Sequence, residues 1–451
     1  MTKRVFKRKI YDKILEWKDW SKGRYALLIE GARRIGKSTI VEEFAQNEYD
    51  DYLLIDFSNV SKDVFDLFDD ISDLNRFFLR LQTFFGKTLP VKRSVIIFDE
   101  VQFCPKARQA IKHLVKDGRF DYIETGSLIS IKKNVKDILI PSEEHAINMF
   151  PLDFEEFLWA IGQKVKFDFI RYSYENMEPM GDAMNRKIME DFRLYMLVGG
   201  MPQAVNAYLN NPSDFSEVDK VKREILHLYD ADFRKLDTTG RAATIFNFIP
   251  AELSRNTMRY KVGSVINGAR PDRLGELFAD IVDSRTVNMA YLASNPSAGL
   301  AMHANHDYFK MFTCDTGLFV TLAFRDKDFT ENIIYRKLLL DKLPSDLGYV
   351  YENVVAQLLA SAGHSLYYYA FTERQEGVTK PRTYEIDFLI NQGDKICPIE
   401  VKSSSYKSHK SLDEFTKKYS SRIGKRYLLY TKDIGKDTDI ICLPVYMTGL
   451  L

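Results

Sequence analysis

The chain has 451 residues, 45% of them hydrophobic and 28% charged, which suits about three globular domains and excludes disorder as the main state. Its 64 basic and 63 acidic residues leave a net charge of +1, which excludes a simple polycationic coat for DNA but not local charged patches. The four cysteines, Cys104, Cys314, Cys397 and Cys442, form no CxxC pair, so a disulfide scaffold is excluded and buried thiols in a reducing compartment are expected. No apolar run approaches the roughly 18 residues of a membrane span, and no hydrophobic stretch follows the basic start. The chain is therefore read as cytoplasmic, without a membrane partner.

Tyr25 to Ile29 read as a short buried strand. Gly31-Ala32-Arg33-Arg34-Ile35-Gly36-Lys37-Ser38-Thr39 follows, and then helical spacing through Val41, Phe44 and Ala45. This is GxxxxGK[ST] in strand–loop–helix context. Gly31 and Gly36 let the backbone turn its N–H groups toward phosphate oxygens, and the new helix presents its positive end to the same anion. Lys37 can reach the β- and γ-phosphates of ATP, and the Ser38 hydroxyl can ligate Mg²⁺.

Tyr52 to Phe57 form the next strand candidate. Val64, Leu67, Phe68, Ile71, Leu74 and Phe78 then take helical spacing, with Asp63, Asp66, Asp69, Asp70 and Asp73 between them. A solvated acidic face on one packed helix accounts for the aspartates. Val95 to Phe98 make an apolar strand that ends in Asp99 and Glu100. Asp99 is expected to hold Mg²⁺ through its waters, and Glu100 to polarise the attacking water. Lys106 to Lys116 read as a helix ended by Gly118. Phe120 to Ser127 read as another strand, whose polar end suits a γ-phosphate sensor, a role open to Ser127 or Thr125. Alternating strands and helices imply a mostly parallel, three-layer α/β sheet.

The motifs Gly31 to Thr39, Phe98 to Gln102, Thr125 to Ser127, Phe150 to Phe157 and Gly199 to Pro202 together resemble the AAA+ type of P-loop ATPase. More narrowly, they resemble a prokaryotic family that joins this domain to a C-terminal domain of unknown function. Cys314 to Leu318 and Tyr351 to Val354 fit the same family, so the resemblance spans nearly the whole chain. One departure stands out. AAA+ rings usually place an arginine finger after the sensor strand, yet no arginine lies between Arg119 and Arg171. Lys132, Lys133 or Lys136 substitutes, or an arginine comes from elsewhere, or hydrolysis needs no neighbouring subunit. An oligomer thus lacks its usual sequence support.

Pro151 to about Leu209 read as helical, with Phe154, Phe157, Leu158 and Ile161 on one face, in the place of a lid behind the nucleotide. Gly199-Gly200 mark a break and candidate hinge. Residues 240 to 291 suggest three short helices and a strand, which the family resemblance makes winged-helix-like. Arg255, Arg259, Lys261, Arg270, Arg273 and Arg285 suit DNA phosphates there, but Glu276, Asp280 and Asp283 on the third helix would repel them. A packing module fits the same pattern.

The C-terminal region holds a second constellation. Tyr384 to Ile390 and Cys397 to Lys402 both alternate, and Gly393-Asp394 between them suits a two-residue hairpin turn. Facing residues then have numbers that sum to about 787 on that register. Ile386 faces Val401, Phe388 faces Ile399 and Ile390 faces Cys397 on one apolar face. Asp387 faces Glu400 and Glu385 faces Lys402 on the other. Two carboxylates about 5 Å apart repel unless a cation or proton lies between them, and Mg²⁺ suits such an oxygen site. Asp387, Glu400 and Lys402 resemble the PD-(D/E)xK nuclease pattern, and Glu352 matches the acidic residue that those folds bring from their first helix. A salt bridge between Glu385 and Lys402 is the structural alternative. A basic run from Lys407 to Lys436, with Tyr406 and Tyr419, suits a nucleic-acid backbone or a solvated helix face equally.

The expected architecture is α/β: a P-loop AAA+ core over residues 1–149 and a helical lid over 150–225. A winged-helix-like module over 226–305 and a restriction-endonuclease-like domain over 306–451 complete it. The expected function is ATP-controlled action on DNA by a metal-dependent nuclease. The rival is an ATP-dependent switch whose degenerate nuclease fold docks a protein or nucleic acid.

Overall fold

The structure of the chain is a computed structural model that describes residues 4–126, 142–255, 257–270, 273–326, 329–340, 348–373, 381–403 and 409–451. Ser127, Lys132, Lys133, Lys136, Pro271, Asp272, Tyr406 and Lys407 lie outside the described residues. The chain divides into two compact units, residues 1–150 with 283–285, and residues 151–282 with 286–451. No described helix is long and apolar enough to cross a membrane. All four cysteines are buried and unbridged.

The first unit is built on a five-stranded sheet: β1 (Ala26–Glu30), β2 (Asp51–Asp56), β3 (Ser94–Asp99), β4 (Asp121–Gly126) and β5 (Glu144–Asn148). The order is β2-β3-β4-β1-β5, and every pairing is parallel. Parallel strands are covered on both faces, which is why β1 and β3 are buried along their whole length, with polar residues only at their ends. On one face Phe57, Phe68, Phe77, Phe78 and Phe98 join residues of the helix Pro105–Asp117 in one cluster. Gly118, at φ 74°, ends that helix as expected.

Two expectations change here. The single acidic helix is two, Lys62–Leu67 and Leu74–Phe85. The aspartates between them make the break. Asp70 accepts from the Ser72 backbone and hydroxyl, and Asp73 caps the second helix by accepting from Asn75 N and Arg76 N. Asp69 pairs with Lys106 at 2.6 Å. Short polar side chains here satisfy helix-end donors instead of lining one solvated face. The edge strand β5 was not anticipated, because Glu-His-Ala-Ile-Asn carries too few apolar residues to register as a strand.

The second unit holds an eight-stranded mixed sheet: β6 (Val287–Ala293), β7 (Ala304–Thr313), β8 (Leu366–Glu373), β9 (Arg382–Gln392), β10 (Lys395–Val401), β11 (Arg426–Tyr430), β12 (Gly435–Asp437) and β13 (Ile440–Pro444). Their order is β12-β13-β11-β10-β9-β8-β6-β7. The boundary expected between residues 305 and 306 falls inside β7, whose antiparallel ladder to β6 and the parallel pairing of β6 with β8 make one sheet of both sides. The helices expected as a lid belong to this unit. Tyr446 donates to Asn185 at 2.9 Å and Gln357 donates to Tyr195 at 2.8 Å, tying the helix Asp182–Val198 to the C-terminal region.

The hairpin arithmetic holds where the ladder is formed: Phe388 pairs with Ile399, Ile390 with Cys397 and Gln392 with Lys395, around Gly393 at φ 62°. The expected apolar face does not. Tyr367 pairs with Leu389 and Tyr369 with Ile386, so two residues of β8 span three of β9. This β-bulge shifts the alternation. Ile386 and Leu389, an odd number of residues apart, therefore enter the same cluster with Ile396, Leu412, Phe415 and Leu428, while the Phe388 ring packs tilted against Phe312 with centroids 5.6 Å apart.

Candidate functional site

The phosphate loop follows β1. Gly36, at φ 95°, caps the helix Lys37–Glu48 with no side-chain bond, so the first N–H groups of that helix lack an intrahelical acceptor and suit an anion. A Cβ on Gly31 would collide with Ile35 and the Met149 carbonyl, so the loop is packed at that point. Arg8 fixes it from outside. Its guanidinium donates to the Ile35 carbonyl at 2.9 Å and to the Phe150 carbonyl at 2.6 Å. In the sequence Arg8 is one charge of a basic start; the tertiary structure brings it to the loop.

Lys37 is buried and donates to the Gly31 carbonyl at 2.9 Å and the Ala32 carbonyl at 3.0 Å. Burial pulls its pKa down, while Glu100 and Asp99 pull it up. Ser38 donates to Asp99 at 2.9 Å, and the Thr125 hydroxyl also donates to Asp99. Burial raises the Asp99 pKa against those two bonds. Glu100 stands in left-handed backbone at φ 53° and accepts from Gln102; its own N–H meets the Thr125 hydroxyl at 3.4 Å. Thr125, of the two sensor candidates, thus lies between Ser38, Asp99 and Glu100. The donor set fits a nucleotide with Mg²⁺: a buried ammonium, a free helix start, and the Ser38 and Asp99 oxygens together. Arg33, Arg34, Ile35 and Thr39 complete the loop, with Arg34 at φ 70°.

The second constellation also converges. Lys310, in the middle of β7 and 6% exposed, lies among its carboxylates. Its ammonium donates to Glu385 and meets Glu352 of the helix Gly348–Ser361 at 3.5 Å. Burial would lower the Lys310 pKa, but Glu352, Glu385 and Asp387 raise it instead. Asp387, at the bulge, accepts from Val401 N at 2.7 Å; burial, then Glu352, pushes its pKa well up. Glu385 is raised by burial as well. Lys402 pairs with Glu400 at 2.6 Å. The second Glu400 oxygen is buried with no hydrogen-bond partner among the described residues.

The expected pairing of Glu385 with Lys402 is therefore replaced: Glu385 takes Lys310, and Lys402 takes Glu400. A cation does lie among the carboxylates, but it is an ammonium of the chain itself. Among the described residues, no group of three or more His, Cys, Asp and Glu side chains could hold a metal ion. The sequence did carry a signal for Lys310, a lone charge inside Tyr308-Phe309-Lys310-Met311-Phe312. A charge buried in an apolar strand demands a partner.

The remaining motifs meet in a buried polar knot. Asp315 accepts from Leu318 N at 2.9 Å and from Gly200 N at 2.5 Å. Asn353 accepts from Thr313 N at 2.9 Å, and Gln357 accepts from Thr316 N at 2.8 Å. A Cβ on Gly199 would collide with Asp315, and one on Gly200 with the Leu152 carbonyl. The glycine pair expected as a hinge is instead where the chain packs too tightly for any side chain. The basic run near the C-terminus is partly neutralised: Lys417 pairs with Glu414, Lys418 with Glu373 and Arg426 with Asp439. In the middle module Arg255 pairs with Glu252, and Arg259 lies over the Tyr308 ring.

Residues 23–158 match a family model described as an AAA domain. The phosphate-loop region is an AAA domain. Residues 189–328 and 347–447 match two domains of unknown function, DUF8612 and DUF4143. No curated protein matches the chain. Among solved structures, a Walker-type ATPase of Pyrococcus abyssi aligns over 70% of this chain and 96% of its own, at 16% identity and a TM-score of 0.40. The ORC2 protein of Aeropyrum pernix, in ADPNP–ADP complexes, aligns over 74% and 93%, at 11% identity and a TM-score of 0.36. The AAA domain carries every residue of the first constellation, and the two uncharacterised domains share the second.

Proposed function

We propose that the chain is an ATP-binding and ATP-hydrolysing switch whose C-terminal region has a nuclease-like constellation that docks a protein or nucleic-acid partner without cutting it. In the AAA domain, Lys37 would leave the Gly31 and Ala32 carbonyls for the β- and γ-phosphates of ATP. Ser38 and Asp99 would hold Mg²⁺, which supplies charge neutralisation at the transferring phosphoryl group. Glu100 would orient and deprotonate the attacking water, and Thr125 would report the state of the phosphate to Asp99 and Glu100. Release of Glu100 from Gln102 is the step that would free its carboxylate for that work.

The observation that carries the docking reading is Lys310. Its ammonium pairs with Glu385 and Glu352, so a cation of the chain already lies among these carboxylates. A divalent ion would have to displace it from charge-assisted bonds in a buried setting. Asp387 spends one oxygen on Val401 N, and Glu400 spends one on Lys402. The test is a cleavage assay on duplex DNA, single-stranded DNA and RNA with Mg²⁺ or Mn²⁺, with and without ATP. The expected result is ATP turnover and no cleavage. Cleavage by the wild type that is lost in Asp387→Ala would reinstate the metal-dependent nuclease reading.

A further inference from the structure

The AAA domain has a cavity at the end of its sheet remote from the phosphate loop. About 810 Å³ in volume, it is lined by residues that precede β1, β3 and β5, the start of β4, and the ends of the helices Ile10–Ser21 and Pro105–Asp117. The phosphate loop leaves the opposite end of β1, so a ligand here would not compete with ATP for space.

The lining is strongly basic. Lys22, Lys92, Lys112 and Lys116 are exposed at this cavity. None of their ammonium groups has a hydrogen bond or ion pair among the described residues. Lys112 and Lys116 stand one helical turn apart, an arrangement of like charges that disfavours the helix. Seven basic residues of the lining face three acidic ones: Asp19, Asp121, which accepts from Tyr49 at 2.6 Å, and Glu143, which accepts from Ser142 at 2.9 Å. Lysines at helix C-termini also complement the helix dipole. That accounts for Lys116, but not for Lys92, which lies in the loop before β3. The one aromatic in the lining, Phe120, is buried in the core, so the cavity has no platform for stacking a base.

We propose that this cavity binds the phosphate backbone of duplex DNA, without reading its sequence. The two guanidinium forks of the lining are engaged, Arg119 on both Asp117 oxygens and Arg24 on the Ser21 and Trp20 carbonyls, so what faces solvent is a set of ammonium point charges without stacking rings, which suits phosphates and not base edges. This contact is separate from the C-terminal docking region and does not rest on it.

The experiment compares the full-length wild type with the quadruple variant K22Q/K92Q/K112Q/K116Q, using a fluorescent 30-base-pair duplex in saturating ATP. The expected result is at least a tenfold loss of affinity at low salt and a fall of about 3.6 in the log–log salt slope, about 0.9 for each of the four phosphate contacts removed. ATP turnover without DNA and the melting temperature should stay at wild-type values, which separates failure here from failure of the ATPase reading. Equal affinity and slope in the two proteins would overturn the assignment. So would displacement of the duplex by micromolar inorganic tripolyphosphate, which would make the cavity a site for a small polyphosphate.

Discussion

Lys37 and Lys310 are both buried ammonium groups beside carboxylates, and they are held in opposite ways. Lys37 rests on two neutral backbone carbonyls, and burial lowers its pKa. Lys310 is gripped by two carboxylates that raise its pKa. A neutral carbonyl gives up an ammonium to an anion at little electrostatic cost. A carboxylate does not, because its own charge would be left buried and bare. The first arrangement waits for a ligand; the second is closed on itself.

Four substitutions probe that contrast. Lys37→Ala should lower ATP turnover at least a hundredfold in a phosphate-release assay, since Arg8, the other buried cation at the loop, is held on the Ile35 and Phe150 carbonyls; near-normal turnover would remove the phosphate loop from the reaction. Lys310→Met should instead leave turnover intact and destabilise the second unit by about 3–5 kcal/mol in denaturant titration, the usual consequence of stripping one partner from a buried ion cluster. That defect has a defined pH dependence. The carboxylates it strands have folded pKa values above their unfolded ones, so the folded variant binds more protons than the unfolded chain. Stability of the variant should therefore recover as pH falls from neutrality toward the ordinary Glu value of 4.5. A defect that grows on acidification would contradict the ion-cluster account. Adding Glu385→Gln to Lys310→Met should recover part of the loss, and strict additivity would mean the two residues do not interact. The smallest effect is expected of Thr125→Val, which removes one hydroxyl from Asp99: about a tenfold drop in kcat, with KM for ATP changed less. The reverse split would make Thr125 a binding residue.

The two regions also differed in how far the sequence could be read. The phosphate loop was legible because its geometry is local. Gly31, Gly36, Lys37 and Ser38 lie within eight positions, and the strand ending in Asp99 is marked by its own apolar run. Arg8 was not legible, since nothing near it in sequence says that its guanidinium staples Ile35 and Phe150. In the second unit the turn at Gly393-Asp394 fixed the hairpin register correctly. The bulge between Ile386 and Leu389 could not be seen from alternation, because it is imposed by pairing with β8. Lys310 was missed for a related reason: its partners lie on a helix and a strand far along the chain. The glycine pair Gly199-Gly200 was read as freedom when it records crowding by Asp315 and Leu152.

The eight-stranded sheet bears on how this protein can be divided. The match over residues 189–328 contains β6, β7 and Lys310, while the match over 347–447 contains β8 to β13 with Glu352, Glu385 and Asp387. What appear as two families are two halves of one sheet, with the cation in one half and its anions in the other. A truncation between them would expose the edge of β6 on one fragment and of β8 on the other, and would leave each with unbalanced charge. Neither half is a suitable unit for expression alone, and variants that exchange one half between relatives should fold only when the lysine and its carboxylates travel together.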